Sequence, residues 1–327
     1  QWLDFDKLAI ATGATPIVQS LPGVELDNIY TLHGVEHAEG IREHVSRNDA
    51  TDVVIVGGGL LGVEMTESLV SAGCRVTLVE KHGQILDMLD REMAEHVHHH
   101  LEKKGVRVTI NSEVTGFRGQ DSVEMVQTTA RTIAADIVIL GTGVSPEVSL
   151  ARDVGLETGP TGALKVDRHL QTSHPDVYAA GDCAEKRHII TGRPHYLPLG
   201  STAAREGRVA AVNLCGGDET FPGIAGTAIC SVLDYTMARS GLTESEARKE
   251  GYEPVCSLTA GPDRAHFMPG AKRIVMKLIC DAESRQLLGV QVVGPGQAAR
   301  RADVAVTAIT AGMTVDRASQ LDLGYAP

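Results

Sequence analysis

The chain has 327 residues, enough for two or three domains with sizeable cores, and its 43% hydrophobic and 22% charged residues are those of an ordinary globular protein. A net charge of −12 argues against a polyanionic partner such as nucleic acid. No apolar run reaches the ~20 residues of a membrane helix and no secretory signal opens the sequence, which points to a soluble cytoplasmic protein.

The first apolar run, Leu8 to Ile10, predicts a strand, and Ala11-Thr12-Gly13-Ala14 turns away from it in small residues that admit a close ligand. Pro16, Pro22 and Gly23 then mark an extended connector. Residues 37–48 read as a helix. The strongest signal follows: Asp52 to Val56 is a short apolar strand that runs into Gly57-Gly-Gly59-Leu-Leu-Gly62, a G-x-G-x-x-G turn opening a helix. In that pattern the first glycine permits the tight turn, the second lets a pyrophosphate approach the backbone, and the third lets the helix lie close on the strand. Gly73 ends the helix, and Cys74 to Val79 forms a second strand that finishes in Glu80. An acidic side chain there, about 20 residues after the glycines, hydrogen-bonds an adenosine ribose. It also disfavours a 2′-phosphate, so NADH is expected over NADPH, although neighbouring Lys81 and His82 oppose that preference.

Arg91 to Lys104 carries Met93, Val97 and Leu101 at four-residue intervals and predicts an amphipathic helix stopped by Gly105. His96 and His100 on it have the i, i+4 spacing of a metal pair, but no third ligand or catalytic acid accompanies them, so a solvated face is expected and no metal. Val106 to Ile110 is the third strand. The segments 113–118, 123–128 and 130–134 read as an antiparallel meander, and Ile137 to Leu140 resumes the parallel sheet before Gly141-Thr-Gly143.

A second glycine site lies at Asp176-Val-Tyr-Ala-Ala-Gly181-Asp182, a strand ending in a carboxylate that can accept bonds from ligand hydroxyls or merely cap a turn. Downstream, residues 197–208 start a helix whose small first residues leave its N–H groups accessible to an electron-rich ring. From Phe221 the pattern changes to strand-like runs at 227–233, 254–260, 273–280 and 286–293. They are interrupted by a helix over 243–250 with the capping box Thr243-x-x-Glu246, and a helix from Gln297 to Ala311 follows. Grouped strands with flanking helices indicate an α+β domain whose expected job is packing or dimerisation. The six cysteines are dispersed with no C-x-x-C pair, and buried reduced thiols are expected for all of them.

The order F-D-K-L-A-I-A-T-G-A (5–14), V-G-G-G-L-L-G-V-E (56–64), T-L-V-E (77–80), D-V-Y-A-A-G-D-C (176–183), G-R-V-A-A (207–211) and L-D-L-G-Y-A-P (321–327) resembles the two-dinucleotide-domain flavoprotein disulfide reductases. The likeness spans essentially the whole chain and is strongest to the branch containing NADH oxidase, coenzyme A-disulfide reductase and persulfide reductase. It implies an α/β protein with a doubly wound Rossmann-type NAD domain (50–145) inserted in an incomplete FAD domain (1–49 and 146–216), followed by an α+β dimerisation domain (217–327). Gly57, Gly59 and Gly62 would hold the NAD pyrophosphate and Glu80 the ribose, with Glu64 and Gly143 bordering the nicotinamide. Thr12, Gly13, Gly181 and Asp182 would lie along the FAD, and Leu199, Gly200 and Ser201 would face its ring. Tyr325 would reach the active site of a partner subunit in a homodimer.

Such enzymes pass hydride from NADH through the flavin to a thiol-disulfide, persulfide or oxygen acceptor. The family's first FAD motif and its redox-active cysteine would precede Phe5, so the chain reads as a flavoenzyme truncated at both ends. Leu60 stands where many relatives carry an aromatic gate over the nicotinamide pocket. Two other readings are compatible with the same residues: a non-catalytic NAD(H)-binding and dimerisation module, and a reductase of a small iron-sulfur protein.

Overall fold

The computed structural model describes residues 4–47 and 51–324. They form two compact units: the segment ending at Ile17 with Val144–Gly226, and Val18–Gly143 with the segment from Thr227 onward.

The larger unit begins with a five-stranded parallel sheet in the order Ile29–Thr31, Ile137–Leu140, Asp52–Val56, Arg75–Val79, Arg107–Thr109. A parallel sheet covered on both faces needs strands that are apolar throughout. Val53, Val54 and Ile55 are accordingly 1% exposed or less, and the same holds for Ile137, Val138 and Ile139. Helix Leu60–Ser71 follows the glycine turn, and helix Arg91–Lys103 buries the expected Met93, Val97 and Leu101. The expected helix over 37–48 is Val35–Arg47. The meander is a three-stranded antiparallel sheet, Val114–Arg118, Met125–Thr128 and Thr132–Ala134.

In the same unit the C-terminal segment forms a five-stranded antiparallel sheet, ordered Ala228–Val232, Tyr235–Gly241, Leu287–Gly294, Arg273–Asp281, Pro254–Pro262. The second of these strands is absent from the sequence reading. Tyr235–Gly241 mixes apolar and polar residues without sustained alternation, and what makes it a strand is the turn before it. Leu233 and Asp234 both take positive φ, 47° and 63°, as a two-residue hairpin turn requires. Leu287–Gly294 is buried along its whole length because helices Arg91–Lys103 and Ala298–Thr310 both pack on it. Cys230, Val232, Met237 and Val293 therefore share one core with Ile55, Leu78 and Val97 of the nucleotide sheet. Each such buried aliphatic side chain contributes roughly 1.5–3 kcal/mol. The expected capping box closes: Thr243 Oγ1 accepts from the Glu246 N–H while Glu246 accepts from the Thr243 N–H, at the start of helix Glu244–Lys249.

In the smaller unit Leu8–Ile10 pairs in parallel with Val177–Ala179, and Ala14–Pro16 pairs antiparallel with Val144–Pro146. Helix Gly200–Leu214 buries Val209 and Ala210 against Leu170, Phe221 and Ile224.

Two expectations need correction. His96 and His99 are exposed as expected, but His100 stacks on Tyr235 at 4.2 Å and bonds the Leu233 carbonyl at 2.6 Å, pinning the hairpin turn. Of the six thiols, all free, only Cys74, Cys183 and Cys230 are buried as expected; Cys256 and Cys280 are half-buried, and Cys215 is exposed because it follows the last turn of helix Gly200–Leu214. Among the described residues no helix is long and apolar enough to cross a membrane.

Arg248, Lys277 and the Cys256 thiol all donate to Glu244 and hold its carboxyl down at about 2, against an ordinary 4.5. A depressed carboxyl stabilises the fold above its unfolded pKa, and that contribution disappears as pH falls through the folded value. Glu244→Gln should therefore lose stability at neutral pH and show a shallower decline than the unmodified chain between pH 4.5 and about 2, measured by denaturant unfolding at each pH. Parallel acid profiles would contradict the assignment.

Candidate dinucleotide and flavin sites

At the carboxyl end of the parallel sheet, the residue after Val56 must turn sharply while three stretches of main chain meet. A Cβ on Gly57 would lie 2.3 Å from the Gly141 carbonyl oxygen, and one on Gly62 would lie 2.0 Å from the Gly57 carbonyl oxygen. Gly57 also has φ +110°, a region that side-chain-bearing residues rarely enter. These two positions are packed by backbone. Gly59 differs, because a Cβ there would meet nothing within 4 Å. It is the N-cap of helix Leu60–Ser71, in extended conformation, with no side-chain cap and no acid in the first turn. The helix's first N–H groups are thus left for a ligand, and they favour an anion.

These residues border a cavity of about 310 Å³ lined by Gly57, Gly58, Gly59, Glu80, Lys81 and Gly143, with a far wall of Gln84, Leu86 and Asp87. Glu80, 9% exposed, reaches back across the sheet. Its Oε2 accepts from the Gly58 N–H at 2.7 Å and its Oε1 from the His82 N–H at 2.8 Å. Each carboxylate oxygen keeps a further lone pair for a ligand hydroxyl. Leu86 donates its N–H to the Gly58 carbonyl at 2.7 Å and is held at φ +48°, so the far wall is tied to the glycine turn itself. No sequence pattern marks Gln84, Leu86 or Asp87 as lining residues.

The structure brings Gly57, Gly59, Glu80 and Gly143 together, and Gly62 underpins the turn. Glu64 is not among the residues lining the cavity. It lies on the next turn of the helix beside Glu67, and partial burial with that neighbour raises its carboxyl above the ordinary range. Burial, and then the charge of Glu64, pushes the Cys230 thiol up to about 12, which keeps it a neutral packing group. Leu60 begins the helix and is half-buried. Helix residues His96, His98 and His99 line a separate depression with Glu92, Glu95 and Glu102. Among the described residues no cluster of three or more histidine, cysteine or acidic side chains has a metal-holding arrangement.

In the smaller unit, strand Val177–Ala179 ends in Gly181 at φ +82° and a single 3₁₀ turn, Gly181–Cys183. Asp182 Oδ1 is buried without a hydrogen-bond partner. The Tyr196 hydroxyl is likewise buried and unpartnered, and burial, then Asp182, pushes that phenol up to about 12. An ion pair between side chains at 0% exposure holds the turn from behind. Glu206 Oε2 accepts the Gly181 N–H at 2.8 Å, Lys186 Nζ donates to the Gly181 carbonyl at 2.6 Å, and the two charges lie 3.5 Å apart. Burial raises the Glu206 carboxyl, against the pull of Lys186. Thr12 Oγ1 donates to the Glu147 carbonyl, and Gly13, at φ +72°, has open space where a Cβ would stand. Leu199 is the extended N-cap of helix Gly200–Leu214, which has no first-turn acid, and Gly200 and Ser201 are exposed there. Tyr325 lies outside the described residues. Sequence reasoning missed Tyr196, Lys186 and Glu206, for which burial rather than any motif is the signal.

A glycine turn, an uncapped helix N-terminus and an acid closing the next strand define a dinucleotide-binding α/β protein. The comparison with known proteins narrows that class. The family described as pyridine nucleotide-disulphide oxidoreductase matches residues 1–207, and that family's dimerisation domain matches 227–327. The chain belongs to the pyridine nucleotide-disulphide oxidoreductase family. It is 40% identical over 325 residues to an NAD(P)H sulfur oxidoreductase (CoA-dependent) of Pyrococcus abyssi, covering 99% of this chain and 72% of that protein. A coenzyme A disulfide reductase of Staphylococcus aureus is 28% identical over 324 residues, again 99% of this chain and 72% of that protein. Among solved structures, an NAD-dependent persulfide reductase from A. fulgidus superposes with a TM-score of 0.96 at 40% identity. That match covers 99% of this chain and 61% of that one.

Gly59 and Gly62 should respond differently to a methyl group. Gly62→Ala forces main chain apart and should destabilise the fold by about 1–3 kcal/mol, read by thermal unfolding. Gly59→Ala should leave the melting temperature unchanged but weaken NADH binding about tenfold or more by keeping phosphate off the backbone, read by calorimetry. Equal affinity of Gly59→Ala and the parent would show that no phosphate lies there.

Proposed function

We propose that this chain carries the pyridine nucleotide site and part of the flavin site of an FAD-dependent NADH oxidoreductase whose acceptor is a disulfide, a persulfide or oxygen. The single observation that carries the reading is the meeting of open Gly59, an uncapped helix N-terminus and the Glu80 carboxylate around one cavity. Family membership and relatives named as sulfur, persulfide and coenzyme A disulfide reductases support the acceptor class.

In this reading Gly57, Gly59 and Gly62 place the diphosphate, the N–H groups of helix Leu60–Ser71 neutralise it, and Glu80 accepts from the adenosine ribose hydroxyls. Gly143 and Glu64 belong toward the nicotinamide end. The fit of the smaller unit to FAD rests on its buried unpartnered Asp182 oxygen, which suits a ribityl or phosphate-flanking hydroxyl, and on the open faces of Gly13 and Gly200. Thr12 and Gly181 shape that cradle, and Leu199 to Ser201 present helix N–H groups to the ring. Bound FAD supplies the two-electron relay between nicotinamide and acceptor that no protein side chain provides. Lys186 and Glu206 keep Asp182 in place, and Tyr196 stays protonated beside it as a hydrogen-bond donor.

We place the nucleotide domain at 18–143 rather than the expected 50–145, because Ile29–Thr31 pairs with Ile137–Leu140 at the edge of its sheet, with the flavin segments at 1–17 and 144–216 and the dimerisation domain at 217–327. We assign Tyr325 to the active site of the partner subunit in a cytoplasmic homodimer. The dimerisation-family match over 227–327 supports that assembly.

The test uses an intact protein containing this chain. It should purify with FAD, and anaerobic NADH should bleach the flavin absorbance; a protein that holds FAD but is not reduced by NADH would overturn the reading. Glu80→Gln removes the charge and keeps one of the two acceptors that face the Gly58 and His82 N–H groups, so it should narrow the preference for NADH over NADPH by about tenfold. Equal use of both nucleotides by the unmodified protein would remove the role given to Glu80.

A further inference from the structure

The far wall of the dinucleotide cavity, residues 84–87, is not built by the nucleotide sheet alone. The segment that carries it runs from Gln84 to the start of helix Arg91–Lys103, and buried side chains of the C-terminal sheet grip its end. Arg239, 8% exposed, donates to the Met88 carbonyl at 2.8 Å and is itself held by Glu246 at 3.2 Å and by the Gly241 carbonyl. Gln291, 1% exposed, takes the Asp90 N–H on Oε1 at 2.8 Å and returns Nε2 to the Asp90 carboxylate at 2.7 Å. Lys277, 2% exposed, meets the same carboxylate at 2.9 Å and also pairs with Glu92 and Glu244.

Asp90 shows what this grip does locally. It stands at the N-cap of helix Arg91–Lys103, where an aspartate ordinarily accepts from its own helix, yet it makes no side-chain cap bond. Its Oδ2 instead faces Lys277, Gln291 and the Glu244 N–H, all from the C-terminal segment. The segment is equally constrained at its other end. Gln84 Nε2 donates to the Leu89 carbonyl at 2.9 Å, Leu89 donates to the Leu86 carbonyl at 2.8 Å, and Leu86 donates to Gly58 at 2.7 Å. Ile85, Leu86 and Leu89 are 3% exposed or less, so the segment cannot shift at 88–90 without moving at 84–87.

We infer that Arg239, Lys277 and Gln291 are positioning residues for the cavity wall, so that the C-terminal domain sets the affinity of the nucleotide domain for NAD(H) through residues 84–90. This rests on the dinucleotide reading of the cavity. It assigns the domain's inner face a task distinct from dimerisation. A buried carboxylate or N–H stripped of its partners is costly enough to re-route a short loop, and here the loop that would move is a ligand wall.

The experiment is titration of NADH into the full chain, with amide hydrogen exchange over 84–90. Gln291→Leu and Lys277→Met should weaken NADH binding by about fivefold to tenfold and speed exchange at Leu86. Arg239→Lys, which keeps the charge, should weaken it less. Asp263→Asn is the control: its buried carboxylate accepts from the Lys272 and Gln297 N–H groups, away from this network, so it should lower the melting temperature and leave NADH affinity within about twofold. Folded variants with parental affinity and parental exchange would overturn the inference, as would an equal loss in the Asp263→Asn control. Should one variant fail to fold, the others carry the comparison. An unmodified chain that binds no NADH would reject the cavity's assigned function instead, while exchange at 84–90 would still report whether the C-terminal residues hold the wall.

Discussion

The contact on which the nucleotide half depends is main chain against main chain at Gly57, Gly62 and Gly141. Two parallel strands and the first turn of a helix converge there to separations at which a single methyl would collide with a carbonyl oxygen. That convergence fixes the direction of helix Leu60–Ser71, and with it the line along which its free N–H groups point. It also puts Gly58 within reach of Glu80 from the neighbouring strand. The acid proposed for the ribose and the turn proposed for the phosphates are therefore one hydrogen-bonded object. A change that loosens either one relocates the other.

The second constraint is the core shared by the parallel sheet and the C-terminal antiparallel sheet. Strand Leu287–Gly294 is buried on both faces between two helices, one from each part of the chain. A strand so placed has no water to satisfy a polar side chain, yet it carries Gln291 at its middle. A buried amide persists only where its partners are fixed, and those partners are both groups of Asp90. The packing that secures the C-terminal sheet thus fixes the register of the loop before helix Arg91–Lys103.

What could be read from the sequence follows from how local each feature is. The glycine turn, the acid after the second strand, the meander and the Thr243 capping box are set by residues within a few positions of one another, and their patterns survive in one dimension. Strand Tyr235–Gly241 has no alternation to betray it, because one of its two neighbours in the sheet, Leu287–Gly294, comes from a distant segment and Arg239 within it is buried against Met88. His100 looked like one of four solvent-facing histidines until the turn at Leu233 was folded against it. Gln84, Leu86 and Asp87 line a cavity only because Gly58 and Asp90, one on either side in sequence, are tied down by different sheets. Tyr196, Lys186 and Glu206 carry no motif. Their meaning is the burial of charge and hydroxyl beside Asp182, which is a property of packing alone.

The net charge of −12 gives these local features their weight. A dinucleotide is itself anionic, so an acidic protein offers it no long-range attraction. At physiological ionic strength, however, charges more than about 8 Å away are largely screened. What remains is the immediate shell, and there an uncapped helix N-terminus carrying roughly half a positive charge and Lys81 stand against the carboxylates of Glu80, Asp87 and Glu113. Of these three carboxylates that line the cavity, Glu80 is the one bonded to the glycine turn, and backbone N–H groups at 2.7 and 2.8 Å already oppose its charge. Its residual negative field acts on whatever stands at the ribose, mild for a hydroxyl that can donate to it and repulsive for a phosphate that cannot. An acidic surface and the proposed site for an anion are compatible in this chain because the helix N-terminus and Lys81 place positive charge where the diphosphate would lie.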